Sequence, residues 1–394
     1  MTEFDQLKSD IDELVPDMVA MRRDLHEHPE LAFEEVRTSN IVAQRLRSLG
    51  LEVQTGIAKT GVVGLLHGGA SKPGSKTIAI RADMDALPIY ELNEIEYRST
   101  IDNKMHACGH DGHTSILLAI ADILSKRRAE LTGNVKFVFQ PAEETIGGAE
   151  PMVKEGAMQD VDGVIGLHLM SNYPLGRVSV RAGTVFASAD KFILRVKGKG
   201  GHAAMPDEAV DPIVIAAYIT TALQTLISRE TSPFSPAVIT IGQISAGTAF
   251  NIIPEAVEMQ GTMRAYSTEH REKLVRRIGE IASGVTNAMG ATCHVEVFDG
   301  CPPCVNDPSM TELVHKAAVS SVGEKNVGEE YMTAGSDDMA YFLKTVPGCY
   351  FIVGVRNEEK GAKYPHHHPR FNIDEDAMPI GVEVMTRAAI EYLK

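Results

Sequence analysis

The order of strand-like and helix-like segments predicts an α/β protein, in which a mainly parallel sheet is interrupted by a smaller, ferredoxin-like α+β domain. Before residue 187, apolar runs such as KTIAI and NVKFVFQ alternate with helical segments, which is typical of a parallel sheet covered on both faces. Residues 187–299 instead follow the order strand, helix, strand, strand, helix, strand of a split βαβ domain. The chain of 394 residues is long enough for about two or three domains.

The individual elements follow from local periodicity. Apolar residues at helical spacing predict a helix over residues 5–26 and a second helix that ends at Gly50. Strands are expected in GVVGLLHG, KTIAI, NVKFVFQ and DGVIGLHL, and a helix is expected to begin near Gly112. After residue 300, a helix near Met310, the strand GCYFIVGV and a last helix have no core of their own. We therefore expect them to complete the sheet of the first domain.

Composition favours small-molecule partners. With 38 Lys and Arg against 53 Asp and Glu, the formal net charge is −15, which argues against nucleic-acid or anionic-membrane binding. The amino end is acidic and amphipathic, so we expect no signal segment there, and no stretch reaches the ~20 apolar residues of a membrane span. Five cysteines are a sparse, odd set, typical of thiols in a reducing compartment. These features predict a cytoplasmic protein.

The segment MHACGHDGH, residues 105–113, is the sharpest chemical signal. Cys108 and His110 are two positions apart, so an extended backbone would point both side chains to the same side. A thiolate and an imidazole suit zinc or manganese. Asp111 or His113 is expected to fix a ligand's tautomer by hydrogen bonding. Taken alone, the triplet is more typical of a helix start that contains a small buried cysteine.

Other polar side chains follow predicted strands or lie in a loop near the carboxyl end. Each alone has an ordinary explanation, such as a solvated turn, a core histidine or a helix cap. Together they offer the carboxylates and imidazoles of a transition-metal site, because the carboxyl ends of parallel strands meet at one edge of a sheet. They are Asp83, Asp85, Glu143, Glu144, His168 and the triplet His366, His367 and His368.

Eight sequence blocks between about residue 21 and residue 378 resemble the signature motifs of one known enzyme family. They are RRDLHEHPELAFEE, RADMDALP, MHACGHDGHT, FQPAEE, GGHAAMP, NIIPEAVEMQGTMR, GSDDMAYF and HHPRFNIDE. In this order the chain resembles the metal-dependent amidohydrolases of the aminoacylase and carboxypeptidase superfamily, above all hippurate hydrolases, N-acyl-amino-acid amidohydrolases and auxin-conjugate hydrolases. The resemblance implies a catalytic domain over residues 1–186 and 300–394, and a lid and dimerisation domain over residues 187–299.

The resemblance also implies roles for individual residues. It implies two divalent ions per subunit, of Zn, Mn, Co or Ni, held by Cys108, His110, Glu144, His168 and His367. His366 and His368 remain alternatives for the last of these ligands. Glu143 would be the general base and Asp85 would orient a ligand. In the inserted domain, His202 would polarise the scissile carbonyl across a dimer interface. The residues implied to bind substrate or line its pocket are Asn251, Arg264, Gly335 and Ser336.

The implied activity is hydrolysis of the amide bond of N-acyl amino acids, to a carboxylic acid and a free amino acid. Two divalent ions would acidify a water molecule, and Glu143 would accept its proton. A metallo-dipeptidase or aminopeptidase is the alternative enzyme, and a non-catalytic metal-binding protein is the alternative from another class. We further expect a homodimer or a higher homo-oligomer. The CPPC segment, residues 301–304, is interpreted as a hinge rather than a redox motif.

Overall fold

The protein is described by a computed structural model that covers residues 3–145 and 147–394. It divides into two compact units. Unit 1 comprises the described residues of Met1–Val185, Val305–Tyr331 and Asp338–Lys394, and unit 2 comprises Phe186–Cys304 and Met332–Asp337.

The predicted helices and strands occur in the expected order along the chain, together with further elements that were not predicted. The helices are α1 Glu3–Glu27, α2 Val36–Ser48, α3 His110–Lys126, α4 Ala149–Lys154, α5 Pro212–Arg229, α6 Thr268–Ala288, α7 Pro308–Val322, α8 Met339–Leu343 and α9 Met378–Leu393. The strands are β1 Glu52–Ile57, β2 Gly61–Leu66, β3 Thr77–Asp83, β4 Asn134–Gln140, β5 Gly163–Pro174, β6 Val178–Ser179, β7 Gly183–Phe186, β8 Ala189–Lys197, β9 Gly201–His202, β10 Ala237–Ala246, β11 Ile252–Ile253, β12 Ala256–Ala265, β13 Thr292–Cys301, β14 Cys304–Asn306, β15 Val327–Gly328 and β16 Gly348–Arg356. Among the described residues, none of the helices has the length and apolar character that a membrane crossing requires.

Unit 1 is built on an eight-stranded sheet with the order β1-β2-β4-β3-β5-β16-β6-β15. Its four central strands, β4, β3, β5 and β16, are parallel to one another, and the antiparallel pairs lie toward the edges. As expected, the segments after the insertion complete this sheet, because β16 pairs with β5 and α9 packs into the same core. The predicted α/β fold class is confirmed.

The central strands of unit 1 bring polar residues to one edge of the sheet. Every residue of β3 is buried, which is why this strand is a continuous apolar run up to its last positions. The register pairs Asp83 with Gln140 and Arg81 with Gly166, so His168 lies level with Asp83. The carboxyl ends of β3 and β4 therefore place the residues that follow them beside His168, where ligands bind in sheets of this type.

Unit 2 is an antiparallel sheet of four strands with two helices. The strand order is β10-β12-β8-β13, and α5 and α6 supply apolar side chains to its core. With β8, β10, β12 and β13 as the first to fourth strands, this is the ferredoxin-like arrangement that the sequence predicts. Within unit 2, the thiols of Cys301 and Cys304 both donate to the carbonyl of Asp337, at 3.0 and 3.1 Å. The hinge role of this segment stays a prediction.

Candidate metal centre

The MHACGHDGH segment is not extended, and the expectation that strand alternation aligns Cys108 with His110 is wrong. Gly109 has a φ of 94°, a left-handed conformation that glycine adopts at little cost, and His110 is the first residue of α3. The turn buries both side chains, leaving Cys108 8% and His110 1% exposed. A tight turn into a helix, rather than a strand, therefore presents these two donors.

The five predicted metal ligands lie together in unit 1. Cys108 Sγ is 3.6 Å from His168 Nε2. Glu144 Oε1 lies 3.1 Å from His367 Nε2 and 4.0 Å from His110 Nε2. The ligand atoms of Cys108, Glu144 and His367 lie within 4.8 Å of one another, the spacing of a group that could hold one cation. Cys108 and Glu144 each belong to two such groups, so neighbouring groups share ligands.

Hydrogen bonds orient the two buried imidazoles toward the cluster. His110 Nδ1 donates to the carbonyl of Asp85 at 2.9 Å, which leaves its buried Nε2 without a hydrogen-bond partner. His168 Nδ1 donates to the carbonyl of Leu169 at 3.0 Å, so its Nε2 carries a lone pair toward the thiol of Cys108. A carbonyl that fixes one ring nitrogen as donor prepares the other to bind a metal. The buried, unpartnered Nε2 of His110 is the atom a cation would satisfy.

Within the histidine triplet, the outer two members have other partners. His366 Nε2 donates to the carbonyl of Leu169 at 2.9 Å, and its Nδ1 lies 3.0 Å from the hydroxyl of Ser171. Both ring nitrogens of His366 are therefore occupied. His368 Nδ1 accepts the backbone N–H of Arg370 at 3.0 Å.

The middle histidine is the one that faces the cluster. His367 has a φ of 62°, which is uncommon for a residue other than glycine, and its N–H donates to the carbonyl of Ala107 at 2.8 Å. This backbone conformation brings His367 Nε2 to Glu144. Strained backbone at such a point is often part of a functional site. The geometry therefore favours His367 over its neighbours as a ligand.

Asp85 holds the loop that follows β4. Its two carboxylate oxygens accept the backbone N–H groups of Glu143 and Glu144, each at 3.0 Å. One of these oxygens also lies 3.3 Å from His110 Nδ1. Asp85 is only 1% exposed. It thus links His110, the first residue of α3, to Glu143 and Glu144, which follow β4.

The pKa values of three side chains in the cluster differ strongly from their usual values. Burial raises the pKa of the Cys108 thiol well above its usual value, and the nearby carboxylates of Glu144 and Glu143 raise it further. Burial opposes charging of His110, but Asp83 and Asp85 outweigh it and raise its pKa to about 10. Burial lowers the pKa of His168 well below its usual value. A bound cation would favour the thiolate of Cys108 and the neutral form of His110, so its binding would release protons.

Asp83 and His113 form a hydrogen-bonded pair beside the cluster. His113 Nδ1 lies 2.6 Å from Asp83 Oδ1, and its Nε2 accepts the backbone N–H of Leu169 at 3.0 Å. The other oxygen of Asp83 accepts from Arg81 at 2.7 Å. Both nitrogens of His113 therefore have partners other than the predicted metal ligands, so the expectation that His113 fixes a ligand's tautomer is wrong.

Asp111 belongs to a second buried network, so the alternative expectation, that Asp111 fixes a ligand's tautomer, is also wrong. It forms ion pairs with Arg22 at 2.9 Å and with His26 at 2.7 Å, and the other nitrogen of His26 lies 3.2 Å from Glu91. Arg22 and His26 lie one helical turn apart on a face of α1 that also carries Met18. This network could have been predicted from the sequence, because Arg22 and His26 are polar residues on a helix face that is otherwise apolar.

The other predicted site residues lie in unit 2. His202 is exposed in β9, where its Nδ1 accepts the N–H of Ala204 at 3.1 Å, and the pairing of β9 with β11 brings Asn251 beside it. Arg264, on β12, is half-buried and donates to the hydroxyl of Thr262 at 2.6 Å. Gly335 is exposed and Ser336 half-buried, and the carbonyl of Gly335 accepts the N–H of Ala187 at 2.9 Å. The substrate roles of these residues stay predictions.

A thiol, three imidazoles and a carboxylate gathered at the carboxyl edge of a parallel sheet, with a further carboxylate beside them, form a candidate metal centre of the kind that metal-dependent hydrolases use. Comparison with known proteins gives the family. The model of peptidase family M20/M25/M40 matches residues 79–391, and the chain belongs to this family.

Similar proteins in this family carry the names of different hydrolases. Thermostable carboxypeptidase 2 of Saccharolobus solfataricus is 42% identical over 396 residues, covering 100% of this chain and 99% of the relative. IAA-amino acid hydrolase ILR1-like 2 of Arabidopsis thaliana is 38% identical over 381 residues, covering 96% and 85%. The crystal structure of a dinuclear metal-binding peptidase of the M20 family from Bacillus subtilis superposes with a TM-score of 0.85 at 33% identity, covering 97% of this chain and 99% of that one. The protein is therefore an M20-family hydrolase.

Proposed function

We propose that the protein hydrolyses the amide bond of N-acyl amino acids, with the catalytic domain in residues 1–186 and 300–394 and a lid in residues 187–299. The observation that carries the proposal is the convergence of Cys108, His110, Glu144, His168 and His367 on one spot, with Glu143 adjacent. The similarity to an IAA-amino acid hydrolase, whose name describes an acylated amino acid as substrate, supports this substrate class.

The donor set fits two divalent cations. The residues that would hold them are Cys108, His110, Glu144, His168 and His367, and the unpartnered Nε2 of His110 supports this assignment. When bound, such ions supply Lewis-acid chemistry, which acidifies water and polarises a carbonyl oxygen. A mixed thiolate, imidazole and carboxylate set accepts Zn, Mn, Co and Ni, so all four are candidates.

Side chains of the protein would transfer the proton, position the loop and bind the substrate. Glu143 would take the proton of the attacking water on its carboxylate and return it to the leaving amine nitrogen. Asp85 would keep Glu143 and Glu144 in place through their N–H groups. In unit 2, His202 would polarise the scissile carbonyl, while the residues proposed to contact the substrate's carboxylate and line its pocket are Asn251, Arg264, Gly335 and Ser336.

Peptide hydrolysis is the second candidate, because a relative with 42% identity is named a carboxypeptidase. Carboxypeptidases and N-acyl-amino-acid hydrolases both cleave the amide bond next to a terminal amino acid and differ in the acyl part. Dipeptidases and aminopeptidases differ more, since they must also accommodate a free ammonium group.

A hydrolysis screen on metal-reconstituted protein tests the proposal. The protein is stripped with a chelator, reloaded separately with Zn, Mn, Co or Ni, and assayed on hippurate, N-acetyl-methionine, indole-acetyl amino acids, N-blocked dipeptides and free dipeptides. We expect turnover of N-acyl amino acids that the chelator abolishes and metal restores. Activity confined to N-blocked dipeptides would favour the carboxypeptidase, and activity confined to free dipeptides the dipeptidase. No turnover with any metal would favour a non-catalytic metal-binding protein.

We also propose a homodimer formed through strand β10. It is an edge strand of the unit 2 sheet, so one side of its backbone is open to pairing. Ile244 on this strand is 52% exposed, and nearby Phe250 is fully exposed. A twofold axis could pair β10 with the same strand of a second copy. A cytoplasmic location is proposed as well, since Cys108, Cys293 and Cys349 are free thiols.

Ile244→Lys is expected to convert the dimer to a monomer, because a charge on an open edge strand opposes pairing with another chain. Sedimentation velocity measures the change in mass. Phe298→Lys is the matched control, because Phe298 is 48% exposed on β13, the opposite edge of the same sheet. A monomeric native protein, or a variant at position 244 that remains dimeric, would contradict this interface.

A further inference from the structure

Three consecutive backbone N–H groups hold the loop that carries the two catalytic-site carboxylates. Asp85 accepts those of Glu143 and Glu144, at 3.0 Å each. The third belongs to Ala142, and it donates to the carboxyl oxygen Oε1 of Glu35 at 2.9 Å. Neither the sequence motifs nor the proposed reaction assigns a role to Glu35.

Ala142 is the strained point of this loop. Its φ is 55°, in the left-handed region that is unfavourable for residues with a Cβ, and it is fully buried. A buried N–H that loses its acceptor is costly, so the contact with Glu35 stabilises the strained conformation directly. The conformation of Ala142 in turn sets the direction in which the chain leaves β4 toward Glu143.

Glu35 is built into the core to make this contact. It is fully buried, and its second carboxyl oxygen accepts the hydroxyl of Thr60 at 2.5 Å. Its two oxygens thus have separate partners, one in the loop after β4 and one beside β2. A buried carboxyl group with both oxygens engaged is a fixed anchor rather than a solvated charge.

We propose that Glu35 is a positioning residue, which keeps Glu143 and Glu144 in their working places by holding Ala142 in its left-handed conformation. This inference rests on the proposed function, because it assigns Glu143 as the base and Glu144 as a metal ligand. If Glu35 served only global stability, its loss would lower the melting temperature and leave the folded protein with normal turnover and normal loop exchange.

Four variants separate these possibilities. In Glu35→Ala the anchor is lost, and in Glu35→Gln the amide oxygen can still accept from Ala142. The double variant Glu35→Ala with Ala142→Gly makes the left-handed conformation inexpensive without the anchor. Glu34→Ala is the matched control, since the neighbouring Glu34 is exposed and pairs with Lys104 at 2.8 Å.

The measurements are kcat and KM at a temperature well below each melting point, manganese affinity by calorimetry, and amide hydrogen exchange of residues 142–144 in metal-free protein. For Glu35→Ala we expect kcat to fall about 10- to 100-fold with little change in KM, together with weaker manganese binding, as for other residues that support metal ligands. Amide exchange at residues 142–144 should accelerate. Glu35→Gln should retain most of the kcat, and glycine at position 142 should restore part of the loss.

The outcome that overturns the proposal is a Glu35→Ala protein with normal kcat, manganese affinity and exchange at residues 142–144. Failure of glycine at position 142 to restore any kcat would also overturn it, because the strain would then be irrelevant. If Glu35→Ala does not fold, Glu35→Asp gives the same readouts, since its shorter side chain withdraws the carboxyl from Ala142. If the native protein shows no turnover on any substrate, the proposed function fails, whereas metal affinity and amide exchange still decide the role of Glu35.

Discussion

Replacing Glu143 by Gln is expected to lower kcat about 100- to 10,000-fold, while the protein keeps its full complement of metal. The amide has nearly the shape of the carboxylate but cannot accept the proton of the attacking water. The backbone N–H of residue 143 would still donate to Asp85, so the loop should keep its position. Steady-state kinetics on the best N-acyl amino acid, with metal content measured by mass spectrometry, checks this result.

The comparison needs a control for the loss of one negative charge. Glu13→Gln serves this purpose, because Glu13 is exposed on α1, and it should leave kcat unchanged. Glu143→Ala should lose turnover to a similar extent as Glu143→Gln. Near-normal turnover in Glu143→Gln would remove Glu143 from the mechanism. Loss of bound metal in the same variant would instead show that this carboxylate acts as a ligand.

Local sequence signals predicted the parts of the fold that depend on continuous apolar burial. Strands β3 and β4 are almost entirely buried, and both are rich in apolar residues, which Lys136 interrupts in β4. Strand β1 was missed because five of its six residues are at least partly exposed, which leaves no apolar run or regular alternation to detect. Edge strands of this kind form through pairing with a neighbour rather than through their own pattern.

In the candidate site, the residue types could be predicted from the sequence, but the contacts between them could not. Cysteine, histidine and glutamate could be recognised as candidate ligands from the sequence, because metal chemistry restricts which side chains bind transition metals. The hydrogen bonds that orient them could not, since the partner of His110 is the backbone carbonyl of Asp85, which has no signature in the residue type. Asp85 accepts the N–H groups of Glu143 and Glu144, which are separated from it by 58 and 59 positions in the sequence. Such contacts exist only in the folded chain.

The choice within the histidine triplet illustrates the point most directly, because three identical side chains differ only in their surroundings. His367→Ala is expected to weaken metal binding by more than the 10- to 100-fold typical of losing a residue that merely supports a ligand, and to lower kcat at limiting metal at least as much. The side chain of His367 is 53% exposed, so its removal should leave the melting temperature of the metal-free protein nearly unchanged. Calorimetric titration with zinc and manganese measures the affinity.

The neighbouring histidines supply the controls for this prediction. His368→Ala should retain both metal affinity and kcat, since the imidazole of His368 stacks on Tyr364 and bonds to the backbone of Arg370. His366→Ala should instead lower the melting temperature of the metal-free protein, because it removes the hydrogen bonds of this imidazole with the carbonyl of Leu169 and the hydroxyl of Ser171. If His368→Ala abolished metal binding while His367→Ala did not, the ligand would be His368. The strained backbone at position 367 would then need another explanation, because it would no longer bring a donor to Glu144.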